Sequence, residues 1–188
     1  QAEISALRAA KPSAVFVFLP GGMGINFVKQ YAQAGLSDKI PLYSAYTVDA
    51  ISLPALKGAA VGTFGVQHWS PDLGNTVNRR FVADYRKKYG KTPPFYAAQA
   101  YDTVMFLDTA IRKAGGVSDR DKLRAAMRAG DFPTTRGTFK FNNNHFPIQN
   151  IYLREAVKEA DGSYVTKTRG VIISAHGDSY AKFCGMKW

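Results

Sequence analysis

Positions 15–19, Val-Phe-Val-Phe-Leu, form an unbroken apolar run that is short and partly β-branched. Such a run predicts a fully buried strand of the kind found in parallel sheets. Pro20, Gly21 and Gly22 end it, and a helix is predicted to start near Gly24. Phe27, Tyr31 and Ala34 then recur at helical spacing, with Ile25, Val28 and Ala32 beside them. Gly35 supplies the C-terminal stop. Upstream, Ile4, Leu7 and Ala10 share one face of a helix predicted over 2–11, which Pro12 ends. Downstream, strands are predicted at 41–45 and 61–67, with a short helix over 51–56 and a turn at Lys57-Gly58 between them. This alternation is the mark of a parallel sheet with crossover helices.

The period then changes. Val77, Phe81 and Tyr85 set a helix over 75–89, closed by Gly90, and Thr92-Pro93-Pro94 makes a stiff joint. A second long helix is predicted over 95–114. Val104, Leu107, Ile111 and Ala114 form its stripe, Ala98, Tyr101 and Met105 extend it, and Gly115-Gly116 breaks the chain. Ser118 is expected to cap a third helix, with Asp121 three residues on and Leu123 and Met127 as its core face. From Gly137 the pattern turns to strands, at 138–141, 148–157, 164–168 and 171–174, with Asp161-Gly162 as a hairpin turn. An α/β stretch, then helices, then a β-rich tail suits a chain that leaves one lobe, visits another and returns.

Composition narrows the function. The chain has 188 residues and is 46% hydrophobic, enough for one ordinary domain or two small lobes. No apolar run approaches the ~20 residues of a membrane helix. Gln1 opens almost inside an amphipathic segment, and a sheet follows at once. This predicts that further sequence precedes it and carries any targeting information. The one cysteine, Cys184, has no internal partner for a disulfide or a zinc site. His68, His145 and His176 are scattered and read as surface or loop residues; no metal and no cofactor is expected. The net charge of +11 admits nucleic acid, an acidic membrane surface or an acidic partner. The cations are spread, however, with Arg79-Arg80 and Arg86-Lys87-Lys88 on the outer face of one helix, and no nucleic-acid-reading motif occurs. A solvated basic surface is the reading, with no nucleic-acid partner.

A buried strand, a glycine turn and a helix N-terminus together make a common ligand site in open α/β folds. Unpaired N–H groups and the helix dipole there favour an anion. An ordinary tight βα loop is the other reading of the same residues. Two sharper readings fail. A Walker loop needs Gly-Lys-Ser/Thr where Ile25-Asn26 stand, and a dinucleotide fingerprint needs a small residue where Phe27 stands. The strand at 41–45 delivers Tyr46 and Thr47 to a loop, and if it is a parallel neighbour of 15–19, Tyr46 shares a rim with Gly21 and Gly22.

Four stretches together resemble the second half of a type I periplasmic solute-binding protein, of the leucine/isoleucine/valine-binding-like group of ABC importers. They are residues 15–35; Tyr96-Ala97-Ala98-Gln99-Ala100-Tyr101-Asp102; residues 110–116, AIRKAGG; and Gly137-Thr138-Phe139-Lys140-Phe141-Asn142. The resemblance implies a three-layer αβα fold of the periplasmic-binding-protein type I, present as one lobe plus part of the other. Residues 1–92 would be lobe 2, 93–146 helices of lobe 1, and 147–188 the β-rich return to lobe 2. The upstream half of lobe 1 and the start of lobe 2 would lie outside this chain. It further implies a non-enzymatic, periplasmic receptor that captures a small molecule in an inter-lobe cleft and delivers it to an ABC permease of the inner membrane.

Amino-acid-binding members carry an acidic residue after the strand matching 41–45, to pair with the ligand ammonium. Here Tyr46 or Thr47 holds that place, and Asp49 is the only carboxylate nearby. The candidate ligand residues are Pro20, Gly21, Gly22, Met23, Tyr46, Thr47, Trp69, Phe95 and Tyr96, with core packing as the other reading of the aromatics. Aromatic walls with few polar donors suit an aromatic carboxylate. Branched-chain amino-acid binding, a Rossmann-like nucleotide-dependent enzyme and a ligand-sensing receptor lobe are the alternatives.

Overall fold

A computed structural model of the chain describes residues 2–186. The structure divides into two compact units. One comprises the chain as far as Gln67 together with Tyr152–Gly170, the other His68–Ile151 together with Val171 onward. The chain therefore passes between units three times, after Gln67, after Ile151 and after Gly170.

The first unit is α/β. Helix α1 (Ala2–Ala10) leads to strand β1 (Val15–Val17), helix α2 (Gly22–Gln33), strand β2 (Leu42–Ala45), helix α3 (Leu53–Leu56) with a following 3-10 turn, and strand β3 (Phe64–Gln67). The three strands are parallel, with Val15 opposite Leu42 and Ser44 opposite Gly65. The later part of β5 (Pro147–Lys158) joins β3 antiparallel, Gly65 facing Arg154, and β6 (Tyr164–His176) pairs with β5. Ile4, Val15, Val28, Tyr31, Leu42, Leu53, Leu56 and Ala156 form the core. Tyr31 enters it at no polar cost, because its hydroxyl donates to the Ile40 carbonyl at 2.7 Å. Gly35, at φ 65°, ends α2 as its position predicts: the Leu36 amide folds back to the Tyr31 carbonyl.

The expectation of a fully buried first strand is corrected. Only Val15 and Val17 turn towards the core, and Phe16 and Phe18 are 65% and 62% exposed. The strand is a sheet edge, and its side chains alternate between faces. An unbroken apolar run shows that both faces are apolar, not that both are covered within this chain.

The second unit holds α4 (Thr76–Tyr89), α5 (Phe95–Ala114), α6 (Arg120–Ala129) and β4 (Lys140–Phe141), which pairs with the first residues of β5. Asn75 caps α4 by accepting from the Asn78 amide, and Gly90 closes it at φ 67°. Helix α5 has the predicted bounds. Its buried positions are Phe95, Ala98, Asp102 and Ala110, whereas Val104, Leu107 and Ile111 of the expected stripe are exposed. The cap of α6 is Asp119 rather than Ser118. Its carboxylate accepts from the Lys122 amide at 3.0 Å and also answers the positive end of the helix dipole, which a serine hydroxyl does not. The two strands expected at 164–168 and 171–174 are one continuous strand, β6.

Candidate ligand-binding site

The parallel pairing of β1, β2 and β3 brings three chain ends to one edge of the first unit's sheet. Beyond β1 the chain runs through Leu19 and Pro20 to Gly21, which takes φ 72° as the residue before α2. Gly21 has no side chain with which to cap the helix, and no acidic residue lies in its first turn. Pro20, Gly21, Gly22 and Met23 are all exposed. The opening amides of this 12-residue helix have no intrahelical acceptor, and Gly22 and Met23 of its first turn are exposed while Gly24 is buried.

Beyond β2, Tyr46 is half-buried at φ 54°, a left-handed conformation uncommon for a bulky residue. Thr47 follows, 1% exposed. Its hydroxyl accepts from the Leu19 amide at 3.1 Å and donates to the Ala45 carbonyl at 3.3 Å. Gly24 lies against the same place. A Cβ there would collide with the Leu19 carbonyl oxygen and stand 2.6 Å from the Thr47 methyl. Residues 19–24 and 45–47 are thereby one packed assembly.

Asp49 is buried, and one of its carboxylate oxygens accepts from the amides of Ile51 and Ser52, each at 2.9 Å. The Ser52 hydroxyl in turn accepts from the Asp49 amide. The one carboxylate near the end of β2 is thus engaged in holding its own loop.

The second unit places the remaining candidates differently. Trp69 is buried, donates its indole N–H to Asn78 at 2.8 Å, and packs edge-on against Phe81. Phe95 is buried between His68, edge-on at 6.0 Å, and Tyr96, whose ring centre is 3.9 Å away. Tyr96 is 56% exposed and is the one of the three open to a ligand.

His68 lies in the loop after β3, one of its two expected settings, but it is not at the surface. It is buried, and burial, together with the charge of Arg136, pushes its imidazole down to about 4, so it is neutral at pH 7. Asp102 is buried too. Its carboxylate accepts from the Thr134 hydroxyl, the Thr135 amide and Arg136 Nε, at 2.7, 2.8 and 3.0 Å. Arg136 also reaches Gln149 and lies over the Phe139 ring at 4.4 Å. Asp102 therefore fastens the 134–136 loop to α5, while Tyr101 packs against Phe81 of α4. Among the described residues no helix is long and apolar enough to cross a membrane.

A family model described as periplasmic binding protein matches residues 1–163. A Leu/Ile/Val-binding protein homologue from Brucella melitensis is 34% identical over 159 residues, which are 81% of this chain and 41% of the relative. An ABC-transporter solute-binding protein from R. palustris, solved in complex with benzoate, is 33% identical. Its TM-score is 0.83, over 95% of this chain and 48% of that one. A solute-binding protein from Rhodopseudomonas palustris BisB5, in complex with 3,4-dihydroxybenzoic acid, is 31% identical at a TM-score of 0.78, over 93% of this chain and 49% of that one. The chain spans about two fifths of the curated relative and about half of each solved structure. Its parallel strands, its α5 motif and these matches have one meaning: the chain belongs to the periplasmic binding proteins of type I fold, the solute-binding component of ABC transporters.

Proposed function

We propose that this chain is part of a periplasmic receptor that captures an aromatic carboxylate and passes it to an ABC permease in the inner membrane. It acts as a binding module and not as an enzyme. The observation that carries the reading is the loop after β2. Its aromatic residue, Tyr46, is set in an unusual backbone conformation, and its one carboxylate, Asp49, is engaged by its own backbone amides. An amino-acid ligand brings an ammonium group whose burial without a counter-charge costs several kcal/mol. Tyr46 offers at most a ring face, worth ~0.5–2 kcal/mol to a cation. An aromatic acid makes no such demand. Its ring stacks on an aromatic side chain, and its carboxylate takes N–H donors such as those at the start of α2.

The benzoate and dihydroxybenzoate complexes of the two R. palustris proteins support this reading. The name of the Brucella relative favours branched-chain amino acids as the second reading. A thermal-shift panel on the gene's complete product separates the two. Benzoates and phenylpropenoates are expected to raise Tm and leucine and valine to leave it unchanged. Equal stabilisation by leucine refutes the aromatic assignment.

A further inference from the structure

We infer that Thr47 is a positioning residue, which sets the spacing of the two ligand loops without touching the ligand itself. The inference rests on the proposed binding role of the turns at 20–23 and at Tyr46. Three observations carry it. First, Thr47 is 1% exposed, and its hydroxyl already serves the Leu19 amide and the Ala45 carbonyl. Its proton is committed, so it has no donor left for a carboxylate. Second, both of its bonds run to the two chain ends in question. Leu19 immediately precedes Pro20, and Ala45 immediately precedes Tyr46. The hydroxyl is a cross-tie between the segments that present the glycine turn and the tyrosine. Third, its methyl group rests where only a glycine is tolerated, so Gly24 and Thr47 define the close approach of α2 to the end of β2.

The left-handed backbone at Tyr46 gives this tie a purpose. A bulky residue holds φ 54° only where its surroundings determine the conformation. Thr47, pinned on its hydroxyl and on its methyl, is the neighbour that does so. With both loops held before a ligand arrives, binding requires no ordering of these segments, and affinity is gained by preorganisation.

The test uses the gene's complete product, with benzoate as the probe, and compares Thr47→Val with Thr47→Ser. Valine keeps the shape and loses the hydroxyl; serine keeps the hydroxyl. Thr47→Val is expected to weaken benzoate binding about tenfold and to speed amide exchange at Leu19 and at residues 21–24, while amides in α4 are unchanged. Thr47→Ser is expected to stay within about threefold of the parent protein. Calorimetry gives the affinities and hydrogen exchange the loop order. If Thr47→Val binds benzoate as the parent does, or if exchange at Leu19 is unaltered, the inference is overturned. If the parent binds leucine and not benzoate, only the ligand assignment fails, and the same comparison is made with leucine. If it binds neither, the exchange readout decides.

Discussion

At the scale of single residues, similar substitutions have sharply different consequences. Gly22 and Gly24 sit in the same turn of α2. A Cβ on Gly22 meets nothing within 4 Å, whereas one on Gly24 strikes the Leu19 carbonyl. Gly24→Ala is expected to destabilise by about 1–3 kcal/mol, as overpacking does. Gly22→Ala is expected to fall within about 0.5 kcal/mol of the parent. Urea unfolding of both variants checks this, and equal midpoints refute the packing described for α2. Asp102 offers a second case. Asp102→Asn leaves Arg136 buried without its counter-charge, a loss of about 3–5 kcal/mol. His68 gives a pH signature. Its folded pKa, about 4, lies below its ordinary 6.5, so the unfolded chain binds more protons between those values. The stability this gives is complete above pH 6.5 and is lost as pH falls towards 4, by roughly 3 kcal/mol. Denaturant titrations at pH 7 and pH 4 should show a smaller acid loss in His68→Gln than in the parent. An identical loss contradicts the buried, neutral histidine.

At the scale of elements, α5 is the instructive one. Its bounds are legible because Pro94 and Gly115 punctuate it, and the same is true of α4 between Asn75 and Gly90. Its burial is not legible. Asp102 is at the heart of the second unit, while Val104, Leu107 and Ile111 are exposed. A one-dimensional pattern reports which residues are apolar, and the partner that covers them is a matter of tertiary packing. The chain expressed by itself should therefore self-associate through this stripe. Sedimentation of the chain and of its Leu107→Lys variant tests this. The variant is expected to shift towards monomer with an unchanged unfolding midpoint, and equal association of both contradicts it. The first apolar run is similar, since Phe16 in β1 and Phe18 just beyond it read as core yet are exposed. At the site, the glycine turn and Tyr46 were legible from strand order. The role of Thr47 was not, because a hydrogen bond between Leu19 and a residue 28 positions away leaves no local trace.

At the scale of the whole molecule, family and fold follow from motifs spread along the chain, each weak by itself and specific in their order. The ligand does not follow from them, because one fold hosts many ligands and the choice lies with a few side chains at strand ends. In the function proposed above those are Tyr46, with Asp49 of the 46–49 loop held by its own backbone amides, and the N-terminus of α2. The most direct test is the ratio of two affinities, measured by calorimetry on the gene's complete product: benzoate against leucine. Benzoate is predicted to bind at least a hundredfold more tightly, a ratio equal to about 2.7 kcal/mol and within the several kcal/mol that an unpaired buried charge costs. Leucine binding as tightly as benzoate would contradict it.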